Sequence, residues 1–221
     1  MPGFDSNEFL NRKHFAFSFG ALVGDVDDFL EASELNIEWQ RRGAIQAIRG
    51  TTDLDDFPEG YLDHLLTNAE HRFTTSLPIR LRYASLVALV TTVEWEARAL
   101  CKYAAFSIEE KPKGVNKTVH ILRSFEGQLS IDATKTIDDY ENLVFVRNVV
   151  AHNSGVVPGC EFEDQVREAV NKLEGFSITN WHFIGDCVKI ERDSLKPYIQ
   201  ALGSLLPSMC EKTDKRGALT E

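Results

Sequence analysis

The sequence predicts a mainly helical fold, a helical bundle with one small β-hairpin near the C-terminus, and three observations carry that reading. Leu86, Val90, Val93, Ala97, Leu100 and Ala104 recur in steps of four and three, the spacing that lines one face of an α-helix. The stretch 134–153 contains no glycine or proline and is too long for an ordinary strand, despite its Val-rich middle, "LVFVRNVV". Beyond it, "FSITNWHFIGDCVKI" sets two β-prone runs about a Gly-Asp pair, the pattern of a hairpin over 176–190.

The elements follow in order. Residues 7–49 read as helical with a break near Gly20 and Gly24, and "RGTTDLDDFPEG" follows as an acidic, turn-rich connection. A second helix is expected over 59–75, and the periodic one begins near Pro78. "SIEEKPKGVNK" interrupts the pattern with proline, glycine and alternating charge, so it is read as a loop before a short helix through "VHILRSFEG". In "TIDDYEN", Thr136 and Asp139 fit a capping box, and Gly155 suits the far end of the same helix. A helix this apolar on nearly every side has to be buried all round, against other elements or another subunit. Residues 161–173 read as an amphipathic helix. Asp193 or Ser194 is expected to cap a last helix ending near Met209, and "EKTDKRGALTE" to be a disordered tail. The chain divides on this reading into an N-terminal helical extension, 1–77, which joins the main domain or stands apart, a main domain, 78–211, and a tail, 212–221.

Apolar residues make up 43% of the chain and aromatics 10%, enough for a real core. No apolar run approaches the roughly 20 residues of a membrane helix, which predicts a soluble protein with no membrane partner. The basic, then apolar stretch "NRKHFAFSFGALVGD" follows Asp5 and Glu8 and leads to no small-residue cleavage site, so no secretory signal is expected. Cys101, Cys160, Cys187 and Cys210 are scattered, with no zinc spacing, and read as reduced thiols of a cytoplasmic protein. A net charge of −10 argues against broad affinity for nucleic acid, so any RNA contact has to come from a local patch. The most basic local stretch holds Lys111, Lys113, Lys117 and Arg123, a candidate RNA contact or simply a solvated loop.

The candidate chemistry lies in "LVFVRNVVAHNSG". An ionised guanidinium in an apolar run is costly unless it is paired or has a task, so Arg147 has two readings. It pairs with Glu94 or Glu96, or it lies open at a solvent-reachable cleft; the second is the expectation. Asn148 and His152 stand one helical turn apart on one face, whereas Arg147 and His152 differ by about 140°. The last-turn carbonyls favour a protonated imidazole and partial burial opposes it, a balance that suits His152 to proton transfer. Other histidines are weaker candidates. His64 and His71 are about 10 Å apart along a helix, too far to share a metal. His182 reads as a hairpin packing residue, and His14 and His120 have no evident partners. Gly20 and Gly24 lack the strand and lysine of a nucleotide loop.

"RNVVAH" resembles the R-x(4-6)-H signature of the HEPN superfamily, whose members are mostly helical and often carry Asn after the arginine. The upstream helix with "VEWEARAL", the "AHN" end with a nearby glycine, and a hairpin before a last helix agree with it over roughly residues 78 to 209. The resemblance implies a metal-independent endoribonuclease without cofactors, acting as a homodimer in a toxin or defence setting, where a cognate inhibitor or antitoxin is a natural partner. It implies His152 as the proton-transfer group, Arg147 as the cation on the phosphate and Asn148 as an orienting partner; Glu94 and Glu96, the carboxylates within reach of Arg147, are candidates to support them. Two other readings stay open: a catalytically silent HEPN-like dimerisation or interaction module, and an acidic helical regulatory protein that neutralises a basic partner.

Overall fold

The structure, a computed structural model, describes residues 20–50, 58–104, 108–181 and 184–217. The expected helix over 7–19, the connection 51–57, His14, His182 and residues 218–221 lie outside the described residues. The fold is mainly helical, with a two-stranded antiparallel hairpin late in the chain.

The first described helix, α1 (Ala21–Arg49), starts at Gly20, whose φ of 82° suits glycine and whose missing Cβ leaves room for the Gly203 carbonyl. Of the two glycines where a break was expected, Gly20 is the cap of α1 and Gly24 lies within the helix. Val23, Val26 and Leu30 bury this helix in the common core. Then α2 (Tyr61–His71), a π-helical turn (Arg72–Ser76) and α3 (Leu77–Ala104) run on without a break. The boundary drawn at 77/78 falls inside a continuous helical stretch, and α1 packs on α3.

Helix α4 (Lys117–Leu129) is capped by Asn116, whose Oδ1 accepts from the amides of Thr118 (2.8 Å) and Val119 (3.2 Å). Helix α5 (Thr134–Asn153) starts two residues before the Thr136 box, with Ala133 at the cap position. Its first donors are satisfied from a neighbour: Glu126 Oε1 on α4 accepts from the Ala133 amide (3.1 Å) and the Thr134 hydroxyl (2.9 Å). A carboxylate from another helix thus takes the amide of the cap residue, as the third-position side chain does in a local box.

At about 100° per residue, the buried positions Ile137, Tyr140, Leu143, Val144, Val146, Val149 and Val150 sweep roughly two thirds of the circumference of α5. They are covered within the chain by α3, α4, α6 (Glu163–Lys172) and α7 (Lys196–Gly217). The helix is thus not buried all round. Glu141, Phe145, Asn148 and His152, spaced four, three and four, form the narrow strip left over.

The end of α5 is tied down by its turn and by the hairpin. Gly155, at φ 85°, donates its amide to Val149 O (3.1 Å), and a Cβ there would lie 2.2 Å from the Tyr83 hydroxyl. That hydroxyl donates to Val188 O, and burial pushes its pKa up, so it stays a donor. A Gly155→Ala variant is expected to lose about 2 kcal/mol from the left-handed backbone and the crowded ring, read as a lower urea midpoint. An unchanged midpoint would show that Tyr83 moves aside at no cost.

Strands β1 (Phe176–Trp181) and β2 (Gly185–Ile190) pair from Phe176↔Ile190 to Trp181↔Gly185. Gly185 and Asp186, expected as the turn, belong to β2, and Asp186 is held there by Asn180 (3.1 Å) and Arg167 (3.2 Å). Two backbone bonds, Val157 N–H to Asp186 O and Val188 N–H to Gly155 O, both 2.9 Å, dock the segment after α5 on this hairpin. Helix α7 runs to Gly217 and not to Met209, with Pro207 inside it, so the predicted tail is helical over 212–217. Buried Met209, Cys210 and Thr213 carry its packing past the expected end. The expected caps are used elsewhere: the Ser194 hydroxyl donates to Gly175 O (3.2 Å) and Asp193 pairs with Lys196 (3.3 Å). Among the described residues no helix is long and apolar enough to cross a membrane.

Candidate functional site

The last turns of α5 hold the three residues singled out by the sequence, but they point to different sides. Arg147 falls within the buried arc, facing α3, where its Nη2 donates to Glu94 Oε1. Arg147 was expected at a solvent-reachable cleft and not in a closed salt bridge; it is paired, and the pair is partly open. The side chains of Arg147 and Glu94 are 18% and 20% exposed, so the pair sits at the edge of the core and neither charge is sealed from water. Arg147 Nε is buried without a partner, one of four such side-chain atoms among the described residues. An unmade bond of this kind typically costs about 1–3 kcal/mol, and a group that keeps it merits a functional test.

The two candidate carboxylates separate. Glu94 pairs with Arg147, while Glu96, 1% exposed, turns to the start of α1 and accepts from the Gly20 amide at 3.0 Å. Burial raises the Glu96 carboxyl to about 7, with the Gly20 N–H opposing the shift.

Asn148 and His152 are exposed on the uncovered strip of α5, one helical turn apart, about 6 Å along the axis. His152 lies in the last turn of the helix. Within one copy of the chain the guanidinium and the imidazole thus flank the helix from different sides. Asn148 also borders a cavity of about 360 Å³ between the loop before α4, the α5 strip and the start of α6, lined by Asn116, Glu141, Phe145, Phe162 and Gln165 among others.

The basic stretch divides as well. Arg123 is held by Glu126 (3.0 Å) and Asp138. Lys111 donates to the carbonyls of Pro112 (3.2 Å) and Val115 (2.8 Å), holding its own loop. Lys113 and Lys117 are exposed. Of the histidines set aside, His64 bonds Asn68 (2.9 Å) and His120 bonds Glu109 O (2.9 Å). No group of three or more His, Cys, Asp or Glu suited to a metal ion occurs among the described residues.

Sequence reasoning missed Glu141, Phe145, Phe162 and Gln165. The first two were within reach, since they continue the Asn148–His152 strip backwards at helical spacing. Phe162 was not: its φ of 66° and 53% exposure follow from the turn into α6 and leave no periodic mark. No protein-family model matches the chain, and no curated protein or solved structure matches it either.

Proposed function

We propose that the chain is a metal-independent endoribonuclease of the HEPN type, acting as a homodimer in the cytoplasm in a toxin or defence setting, with a cognate inhibitor as a natural partner. The observation that carries this reading is an exposed imidazole at the end of α5, with a guanidinium five residues before it that Glu94 orients without sealing from solvent. RNA supplies its own nucleophile. His152 takes the proton from a 2′-hydroxyl, the O2′–P bond forms, the P–O5′ bond breaks, and Arg147 neutralises charge on the phosphate oxygens. The products are a 2′,3′-cyclic phosphate and a 5′-hydroxyl, whose oxygen receives its proton from a second imidazole in the dimer. Asn148 orients the phosphate or the base beside it.

The homodimer does not rest on the apolar content of α5, which the chain covers itself. It rests on the two faces of the site, which a second copy has to bring together, and on Trp95, 58% exposed beside Glu94 on α3. An exposed indole is the kind of anchor that interfaces bury.

Wild-type protein is expected to cut single-stranded RNA in EDTA, to leave 2′,3′-cyclic ends, to fail on a strand with 2′-deoxyribose at the scissile position, and to sediment as a dimer at micromolar concentration. Absence of cutting across varied substrates would remove the assignment. A second reading, a silent interaction module, is favoured by one observation: the Arg147–Glu94 pair gives the arginine a structural role that needs no substrate.

A further inference from the structure

The groove beside Asn148 combines features that neither the proton-transfer step nor the fold requires. Phe162 stands 53% exposed at the cap of α6, with the left-handed φ of 66° that a bulky side chain rarely adopts. Phe145, half-buried, lies on the same groove, so two rings border one space of about 360 Å³. That is within the range of small-ligand sites, about 300–1,000 Å³.

Its polar groups have bonding capacity left. Asn116 uses its Oδ1 to cap α4, which leaves its amide NH₂ to donate. The side chains of Asn148 and Gln165 are exposed and make no hydrogen bond among the described residues. Glu141 makes no ion pair there, although its charge is felt by Lys172. Exposed Lys113 and Lys117 bracket the lining residues Gly114, Val115 and Asn116 in the chain.

Aromatic faces, amides and flanking lysines are the means by which proteins hold an unstacked base and its phosphate. The carboxylate narrows the choice. Of the four bases, guanine offers two adjacent donors, N1–H and the 2-amino group, to one carboxylate, and keeps O6 and N7 for amide donors. We propose that this groove is a base-reading subsite that takes an unpaired guanine of the RNA strand: Phe162 stacks on it, Glu141 accepts from its N1–H and 2-amino group, and Asn116 and Asn148 donate to its acceptors. The inference rests on the ribonuclease reading, and it sets the base one helical turn from His152.

The test uses the full chain with fluorescent, uncleavable 2′-O-methyl hexanucleotides: uridine throughout, or uridine with one central guanosine. Binding is read by anisotropy and folding by circular dichroism. The guanosine strand is expected to bind about tenfold more tightly, Phe162→Ser to lose about tenfold on that strand, as stacking contributions suggest, and Glu141→Gln to erase the preference while keeping the weaker uridine binding. Equal affinity for both strands overturns the proposal. Should Phe162→Ser misfold, Glu141→Gln on the half-buried strip decides alone. A lysine-rich peptide that binds wild type and is lost in both variants, with RNA binding unchanged, would make the groove a protein-docking surface and also overturn it. Cleavage of ordinary RNA separates the two readings: if wild type binds the guanosine strand but cuts nothing, the nuclease fails and the subsite stands; if it cuts and neither variant alters binding or cutting, the subsite fails and the nuclease stands.

Discussion

His152→Ala is expected to lower RNA cleavage by about 100-fold or more, the usual cost of removing a positioned proton-transfer group. The side chain is exposed in the last turn of α5, so its removal should leave folding intact. Arg147 requires a more careful substitution. Alanine there would strand the Glu94 carboxylate at the core edge, and lost stability would be mistaken for lost chemistry. Arg147→Lys keeps a cation beside Glu94 but loses the planar fork that grips two phosphate oxygens. Cleavage should fall by about 10- to 100-fold with the urea midpoint nearly unchanged. Asn148→Ala should be milder, since orientation is a secondary contribution. The decisive comparison is a rate on end-labelled RNA beside a dimer measurement for each variant. If His152→Ala cuts as well as wild type, the imidazole takes no part and the interaction-module reading replaces the nuclease.

The Arg147–Glu94 pair also shows where sequence stops being informative. That Arg147 had to be paired or employed followed from its apolar neighbours, and Glu94 was named as a partner for it. Which of the two outcomes held depended on how α5 is rotated against α3, a tertiary property with no local signature. The bounds of α5 were legible because length and the absence of glycine and proline outweigh the strand preference of valine. Its cap was not, because Glu126 reaches in from another helix. Likewise the hairpin's two strands were readable as β-prone runs, but the place of the turn was set by Arg167 and Asn180 holding Asp186 in the ladder. The end of α7 was misplaced because "EKTDKRG" reads as polar, whereas Thr213 is buried and bonds back to Met209 O at 2.8 Å. The candidate site was visible as a set of residues; their division between two sides of a helix became visible only as geometry.

Glu96 yields the largest expected effect on stability. It is buried to 1% exposure, its Oε2 accepts from Gly20 N–H, and its Oε1 has no partner. Burial raises the carboxyl from its ordinary 4.5 to about 7 in the folded chain. Between those values the native state holds a proton that the unfolded state has released, so stability falls as pH rises through this window. Below pH 4.5 both states are protonated and the shift costs nothing. Above 7 both are ionised and the cost is complete, at most about 3.4 kcal/mol at 1.36 kcal/mol per unit. Glu96→Gln keeps the shape and the acceptor for Gly20 but cannot ionise. The variant is expected to fall short of wild type by about 1 kcal/mol near pH 4.5 and to exceed it by about 2 kcal/mol at pH 8, because its amide donor with no partner costs the same at both. Urea unfolding of both proteins at the two pH values checks this, since other titrating groups cancel in the difference. A Gln-minus-Glu difference that does not change with pH would show that Glu96 stays ionised, with water or another group reaching its second oxygen.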